Sequence, residues 1–473
     1  MKTRQRIELK KFNNFEESSN IQVKQFYNYL PTTKLKNSSG IKEASFFCNY
    51  ETEEEYHLNL KDAGIEKIEG LAYFKQYFSH NGMSTHRLLV YASDKKVYIN
   101  QMLNDSNDLF WLYNLTFNTA PIALAYKNND SDAIILASKD EMKIWKTGYS
   151  PYTISNVPII TSMCMNEGVL FCTIQEPAFK IWYATDLDAE NIGNISSNSG
   201  YISLEDDLGY ARKIITFDQS VYVFRDYGIS KITYLKGNIS VSQVYLSNTK
   251  IYTDTVNVCG NAVLFITNDG LYSFNGIKVV KADINLDNLK FNCDNAVASS
   301  LGDKYYVGLR LNFNDDKTIL CEESEFTNNC LLVINVNNYE FEIIRGVDIK
   351  SMLPVKTEAF EKMLVCFNSA HSNIIGEIDN VSQCVENSLP KYWCSGELVN
   401  NVNVKLFTKL SVVADEGVKF KLIYDDKELS FTTYQKGLNN FVFKISCNKI
   451  KLEITSPNSS AEVENVYLDY YEY

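Results

Sequence analysis

Two stretches of this chain, VYVFRDYGISKITY from Val221 and VLFITNDGLYSFNG from Val263, carry one pattern at a separation of 42 residues. Each is an apolar run, a turn ending in glycine (Gly228, Gly270), and a second run in which apolar and polar residues alternate. Paired runs around such a turn are a strong short-range hairpin signal. A hairpin that returns at a fixed interval predicts a repeat architecture, which removes most single-core folds from consideration.

The pattern extends in both directions. Earlier copies are LLVYASDKKVYINQ from Leu88, AIILASKDEMKIWKT from Ala133 and GVLFCTIQEPAFKIWYAT from Gly168; later ones are KYYVGLRLNF from Lys304 and KMLVCFNSAHSNIIGEID from Lys362. The matching positions Leu89, Ile135, Leu170, Tyr222, Leu264, Tyr306 and Leu364 are separated by 46, 35, 52, 42, 42 and 58 residues. Their mean, about 46, falls within the ~40–50 residues of a β-propeller blade. A third apolar run precedes six of the units (PIALAYK, PIITSMCM, ARKIITF, DTVNVCG, NAVASSL, SMLPVK), and a fourth follows some of them (ISVSQVYL, IKVVKADI). Short antiparallel strands in groups of three or four, with few helical patterns between them, are blade anatomy.

A lone twisted sheet cannot cover both its faces, so successive blades must wrap into a ring. Six or seven blades are expected, with IKEASFFCNY and EGLAYFKQYF completing the first blade or closing the ring against the last. The long step into the last unit contains LLVINVNNYEFEIIRG, a hairpin with Asn337-Asn338 at its tip, which is read as an insertion in that unit. An array of β-sandwiches is the alternative arrangement of evenly spaced hairpins.

Composition shifts near Leu389-Pro390. Beyond it, about eighty residues alternate apolar and polar, with turns marked by Asp415-Glu416-Gly417, Asp425-Asp426, Lys436-Gly437 and Pro457-Asn458. The expected organisation is all-β: a propeller over residues 1–388, its N-terminal segment contributing to closure, and a small β-sandwich over 389–473. In the final VYLDYYEY, Val466, Leu468 and Tyr470 share one face, and Tyr467, Asp469, Tyr471 and Tyr473 the other. The 13% aromatic content, with 31 Tyr and 26 Phe, suits pleated half-buried surfaces, and only 8 Pro interrupt them.

Charge narrows function. The net −12 argues against sequence-general nucleic-acid binding, which needs a basic surface to release counterions. An acidic wall past which DNA slides is compatible with it. No run approaches ~18 apolar residues and no signal-type core follows the basic N-terminus, so synthesis in the cytoplasm without a membrane anchor is expected. The 11 Cys are then reduced, and Cys164, Cys172, Cys259, Cys366 and Cys447, inside apolar runs, read as small buried hydrophobes. Cys321 and Cys330 flank EESEFTNN and would pair only in oxidising surroundings.

The chain carries no catalytic motif. His57, His80, His86 and His371 are scattered, and SHNGMSTH reads as a polar hairpin loop. There is no Gly-x-Ser-x-Gly elbow, no phosphate-cradling glycine loop and no Cys-x-x-Cys. Asp186-Leu-Asp188-Ala-Glu190 places oxygens at alternate positions, but Asn191 stands where a calcium loop needs glycine and Ser197 where it needs an acid. Acidic pairs for a propeller glycosidase are abundant without being distinctive, and the repeated turn of sialidase blades is absent. No catalytic, cofactor or metal residue is assigned. Trp111, Trp145, Trp182 and Trp393 lie in strand-like runs and are expected to pack in cores.

One segment is more specific. KIWYATDLDAENIGNISSNSGYISLEDDLGYARKIITFDQSVYVFRDYGISKIT, from Lys180 to Thr233, resembles a segment of bacteriophage particle proteins built on β-propellers, the tail nozzle, stabilisation and connector proteins. The positions that carry the resemblance are Trp182, Tyr183, Asp186, Glu190, Asn191, Tyr201, Ile202, Leu204, Asp206, Asp207, Val223, Phe224 and Arg225. RIELKKFNNFEESSN is similar to the start of such proteins, and YWCSGELVNNVNVKLFTKLSVVADEG, with Trp393 and Gly396, to their post-propeller sandwich. Ala184 departs from the usual Ser, and the acidic loop is short and Gly-poor. The resemblance implies a non-enzymatic virion component, in a tail, nozzle or head–tail connector. Its expected partners are copies of itself in a ring and other tail proteins, with DNA in transit and no specific nucleic-acid binding. A host-receptor or glycan-binding propeller is the alternative, and a propeller glycosidase stands behind both.

Overall fold

The computed structural model describes residues 4–9, 11–13, 23–47, 55–78, 83–102, 107–128, 131–139, 141–154, 156–185, 199–204, 206–235, 238–282, 284, 290–313, 325–368, 371–379, 390–457 and 461–472. Strands and turns make up the described fold, with no α-helix among the described residues. Seven sheets of four antiparallel strands follow one another. Blades 1 to 6 cover residues 68–116, 122–154, 160–203, 211–246, 251–281 and 290–345, and blade 7 takes three strands from 349–379. Each of the seven matching sequence positions lies on the second strand of its blade, and each preceding apolar run forms a first strand.

Blade 7 obtains its fourth strand from the other end of the chain. Gly40–Glu43 pairs antiparallel with Gly376–Asp379, in the register Ile41↔Ile378 and Lys42↔Glu377. The start of IKEASFFCNY, Ile41 to Glu43, thus seals the ring, while EGLAYFKQYF supplies the first strand of blade 1, Ile68–Phe78. A polar seam lies beside this closure: Lys350 pairs with Glu69, and Lys42 and Lys362 hold Glu377 at 2.9 and 2.7 Å.

Seven hydrophobic clusters show why the sheets must be neighbours. In the second strand of blade 2, Ile134 and Leu136 pack with blade 1 residues Leu89 and Ile99, whereas Ile135 and Ala137 pack with blade 3 residues Leu170 and Cys172. The alternation continues round the ring: Phe171 with Val223, Phe224 with Phe265, Leu264 with Tyr305, Tyr306 with Val365, and Leu364 with Val90. A strand buried on both faces has no polar side to show, which is why Val169–Ile174 reads VLFCTI and is buried throughout.

Two expectations are corrected. LLVINVNNYEFEIIRG is not an insertion in the last unit: Cys330–Asn335 and Phe341–Arg345 are the third and fourth strands of blade 6. The extra length falls between the second and third strands of that blade, which pushes its outer hairpin towards the next repeat in sequence.

The division at 388/389 also assigns the N-terminal strands to the wrong unit. Arg4–Leu9, Val23–Tyr27, Tyr29–Pro31 and Leu35–Asn37 pair in the C-terminal sheet, not in the propeller. That sheet has ten strands and wraps nearly closed around one core, because the twenty-residue strand Gly437–Ser456 bends from one layer into the other. Its first part pairs with Val399–Ala414, its second with Lys391–Ser395 and Lys419–Tyr424. In the last strand Val466, Leu468 and Tyr470, which share one face, are buried, and Asp469 on the other face is buried too, paired with Arg4 and with Arg6 at 2.7 Å. The sheet leans on blade 6: Asn28 N–H donates to Ile343 O at 2.7 Å, and Arg345 lies over the rings of Tyr27 and Phe313 at 4.7 and 4.0 Å.

Candidate functional site

The described residues of the Lys180–Thr233 segment lie on the outer strands of blade 3, on blade 4 and in the link between the two. Trp182 and Tyr183 sit on the third strand of blade 3 and face opposite ways. Trp182 is buried towards blade 2 among Ile144 and Cys172, and Tyr183 leans towards Phe171, ring centroids 6.4 Å apart. Tyr183 also lies across Gly200, where a β-carbon would come within 2.6 Å of its hydroxyl oxygen, so this close approach needs glycine. Phe224 packs towards blade 5 against Phe265 at 5.5 Å. Asp206 and Asp207 are in the link between the two blades, and Asp207 is exposed. Asp186, Glu190 and Asn191 lie outside the described residues, as do His80 and Cys321. Trp393 and Gly396 belong to the C-terminal sheet, where Trp393 Nε1–H donates to Phe12 O at 3.0 Å and Gly396 O accepts from Ser395 Oγ at 2.7 Å.

Arg225 organises the seam. Its side chain is 1% exposed and pairs with the Asp206 carboxylate. Its Nε and Nη2 donate to Gly209 O at 2.9 and 2.6 Å, and Nη2 also reaches Leu204 O at 3.3 Å. A rigid guanidinium fork with five N–H donors is suited to gathering several carbonyls at once. Asp206 in turn accepts from Leu208 N–H at 3.1 Å. From the other side, Asp226 accepts from Tyr210 N–H at 2.9 Å and Arg212 Nε–H at 3.1 Å. Gly209 adopts φ 84°, and a β-carbon there would lie 2.7 Å from Asp226 Cβ. The link between the blades is therefore fastened at both ends.

Aromatic side chains on the link and on the blade elements beside it face solvent: Phe179, Tyr201, Tyr210 and Tyr227 are 39, 55, 52 and 45% exposed. Lys180 Nζ stands 5.8 Å from the Phe179 ring and 5.9 Å from that of Tyr201, and Arg212 lies 5.0 Å over Tyr210. Backbone bonds Ala211 N–Ala178 O (2.8 Å), Leu204 N–Phe179 O (2.9 Å) and Tyr227 N–Leu208 O (2.9 Å) tie these positions into one surface. Tyrosine and arginine held rigidly at a surface are the composition of protein-binding hot spots. Of the four aromatics, sequence reading identified Tyr201 alone. Tyr210 and Tyr227 sit beside Gly209 and Gly228, and Phe179 follows Pro177, turn signals that could have marked them.

No cluster of three or more His, Cys, Asp or Glu able to hold a metal occurs among the described residues. The cysteines read as hydrophobes are free and buried, and burial pushes the thiols of Cys164 and Cys366 up to about 12 and those of Cys259 and Cys447 to about 11. Cys330 is buried in blade 6. His86 corrects the reading of SHNGMSTH: it lies on the strand Met83–Ala92, buried at the seam of blades 1 and 7. There its ring nitrogens meet Tyr73 Oη and Glu358 Oε2, each at 2.5 Å, and Lys75 Nζ reaches Glu358 Oε1 at 2.5 Å. Tyr73 is also bonded to Lys356 O at 2.8 Å, so the chain of contacts stitches the ring.

Trp111 is a further correction. Trp145, Trp182 and Trp393 are core residues, but Trp111 stands 39% exposed on the outer strand of blade 1, beyond which no further strand pairs among the described residues. Its ring lies 5.7 Å from that of Tyr113, with Lys96 Nζ at 5.1 Å.

No family model matches the chain, and no curated protein matches it. Among solved structures it is similar to BBS1N in complex with ARL6DN, at TM-score 0.42 and 10% identity over 68% of this chain and 95% of that one. It is also similar to the N-terminal domain of Nup159 (TM-score 0.40, 8% identity, 72% of this chain and 95% of that one). Hsv2 of Kluyveromyces lactis is matched at TM-score 0.34 and 10% identity over 55% of this chain and 81% of that one.

Proposed function

We propose that this chain is a non-enzymatic assembly protein that docks protein partners through the aromatic surface at the seam of blades 3 and 4. Following its resemblance to phage particle propellers, we assign it to a tail, nozzle or head–tail connector, packed beside copies of itself in a ring. The observation that carries the docking reading is the buried Arg225, whose donors hold a link around which four exposed aromatic rings, Phe179, Tyr201, Tyr210 and Tyr227, are placed. Leaving such rings in water forgoes hydrophobic stabilisation, which a partner would restore. The net −12 suits a structure past which DNA moves without sticking.

The test is mass measurement by light scattering with negative-stain imaging, over a range of concentration, for the wild type and for Tyr201→Ala/Tyr210→Ala. Rings in the wild type that weaken in the double variant support the reading. A wild type that stays monomeric at every concentration removes the ring, and equal assembly by both proteins removes the seam as its contact. The exposed Trp111–Tyr113 pair favours a second reading, a glycan-binding propeller, since sugars stack on such rings. Saturable glycan-array hits lost in Trp111→Ala would favour it.

A further inference from the structure

The first strands of blades 2 to 5 border a cavity of about 490 Å3 at the centre of the propeller. It is lined by Leu124–Lys127, Ser162–Met165, Lys213–Thr216 and Val256–Val258. Side chains of a strand alternate between faces, so runs of consecutive residues reach one void only through the backbone edge. Each of these strands is at the end of its sheet, and the edge turned towards the cavity has no ladder partner among the described residues. Such an edge offers N–H donors to whatever occupies the space.

Charge in the cavity runs against that of the chain. Its described lining contains two cations, Lys127 and Lys213, and no carboxylate, although the protein carries −12 overall. Lys127 is exposed, while Lys213 is partly buried in the wall. The polar neighbours Ser162, Thr216 and Asn257 are already committed. Ser162 Oγ accepts from Ile214 N–H at 3.2 Å, Thr216 Oγ1 donates to Met165 O at 2.8 Å, and Asn257 binds Ala298 O and Ser300 Oγ. The Lys213 side chain has no hydrogen bond or ion pair among the described residues. Asp254 on blade 5 acts on it only through space, favouring its charge, and burial works the other way, holding the amine below the ordinary lysine value. An uncommitted ammonium in a partly desolvated cavity is a group for which an anion supplies what the protein does not.

We propose that this cavity binds a small oxyanion, carboxylate or phosphate, with Lys213 as its principal charged contact, Lys127 as a second cation and strand-edge N–H groups as further donors. The site uses none of the residues of the blade 3–blade 4 surface and does not rest on the docking reading.

Calorimetric titration of the full chain with inorganic phosphate, and separately with malonate, tests it at low ionic strength. Saturable binding of at least one anion is expected, phosphate alone marking a phosphate site and malonate alone a carboxylate site. A charge-assisted hydrogen bond contributes ~1.5–3 kcal/mol, so Lys213→Met should weaken binding roughly 10- to 100-fold while Lys213→Arg retains most of it. The anion should also raise the unfolding temperature of the wild type and not that of Lys213→Met, a reading independent of binding heat. The proposal is overturned if neither anion binds saturably up to about 10 mM, well above a 1 mM dissociation constant. It is equally overturned if a folded Lys213→Met binds as tightly as the wild type.

Discussion

Replacing Arg225 with Met keeps an unbranched side chain of similar reach and removes all of its donors. Gly209 O and Leu204 O then lose the guanidinium, and Leu204 is buried, so water is a poor substitute there. An unsatisfied buried acceptor costs about 1–3 kcal/mol, and the two carbonyls together roughly 2–6 kcal/mol. The Asp206 side chain is 40% exposed, so its ion pair adds little beyond this. At the ~2 °C per kcal/mol of large domains, unfolding should move down by roughly 4–12 °C. Urea or thermal unfolding followed by circular dichroism measures the loss, and hydrogen exchange should place faster opening in residues 206–212. Asp206→Asn is the control: its side-chain oxygen still accepts and Arg225 keeps its carbonyls, so the cost should stay under about 1 kcal/mol. If Arg225→Met costs less than about 1 kcal/mol, or Asp206→Asn costs as much as it does, the clamp does not organise this seam.

Three further outcomes are expected. The hydrogen bond from Lys75 is the main cause holding Glu358 at about 2, below its ordinary 4.5, so the unfolded chain binds the extra proton between these values. The contribution of Glu358 to stability is present above pH ~4.5 and lost as pH falls towards ~2, and urea titrations should show a shallower acid slope in Glu358→Gln. Burial lowers Lys391 from 10.5 to about 8 despite the nearby Glu462 and Asp415. Between those values the unfolded chain holds more protons, so stability should rise with pH from ~8 to ~10.5, a rise absent from Lys391→Met. Ile41 is fully buried on the strand that closes blade 7, and Ile41→Asp, burying an unpaired polar group, should cost more than about 3 kcal/mol. Limited proteolysis should then cut near the closure first; a variant as resistant as the wild type would show that the strand is dispensable.

Much of the propeller was legible because its physics is local. Apolar runs such as VLFCTI and AIILA must be covered on both faces, and turns such as Asn268-Asp269-Gly270 follow from backbone geometry at single residues. Spacing alone then located the second strand of every blade, from Leu89 to Leu364. The Lys180–Thr233 segment was singled out by its residues, with Asp206 and Arg225 both in view. That the pair fastens one link was not legible, because its geometry depends on how two sheets meet.

What residue order settled is the repeat: its period, its strands and their two-sided apolar character, since these arise from neighbours within a few positions along the chain. Tertiary structure alone decided that Ile41 closes a blade with Ile378, more than three hundred residues away, and that Arg4 and Arg6 neutralise a buried Asp469. It likewise decided that Lys213 stands beside a central cavity without an ion-pair partner among the described residues, and that Trp111 stands part-exposed on an outer strand. Pairings of that kind depend on which surfaces the closed ring brings together and which it leaves open. No short-range pattern encodes them, because the energy that selects them comes from burial and charge contacts between segments remote in the chain.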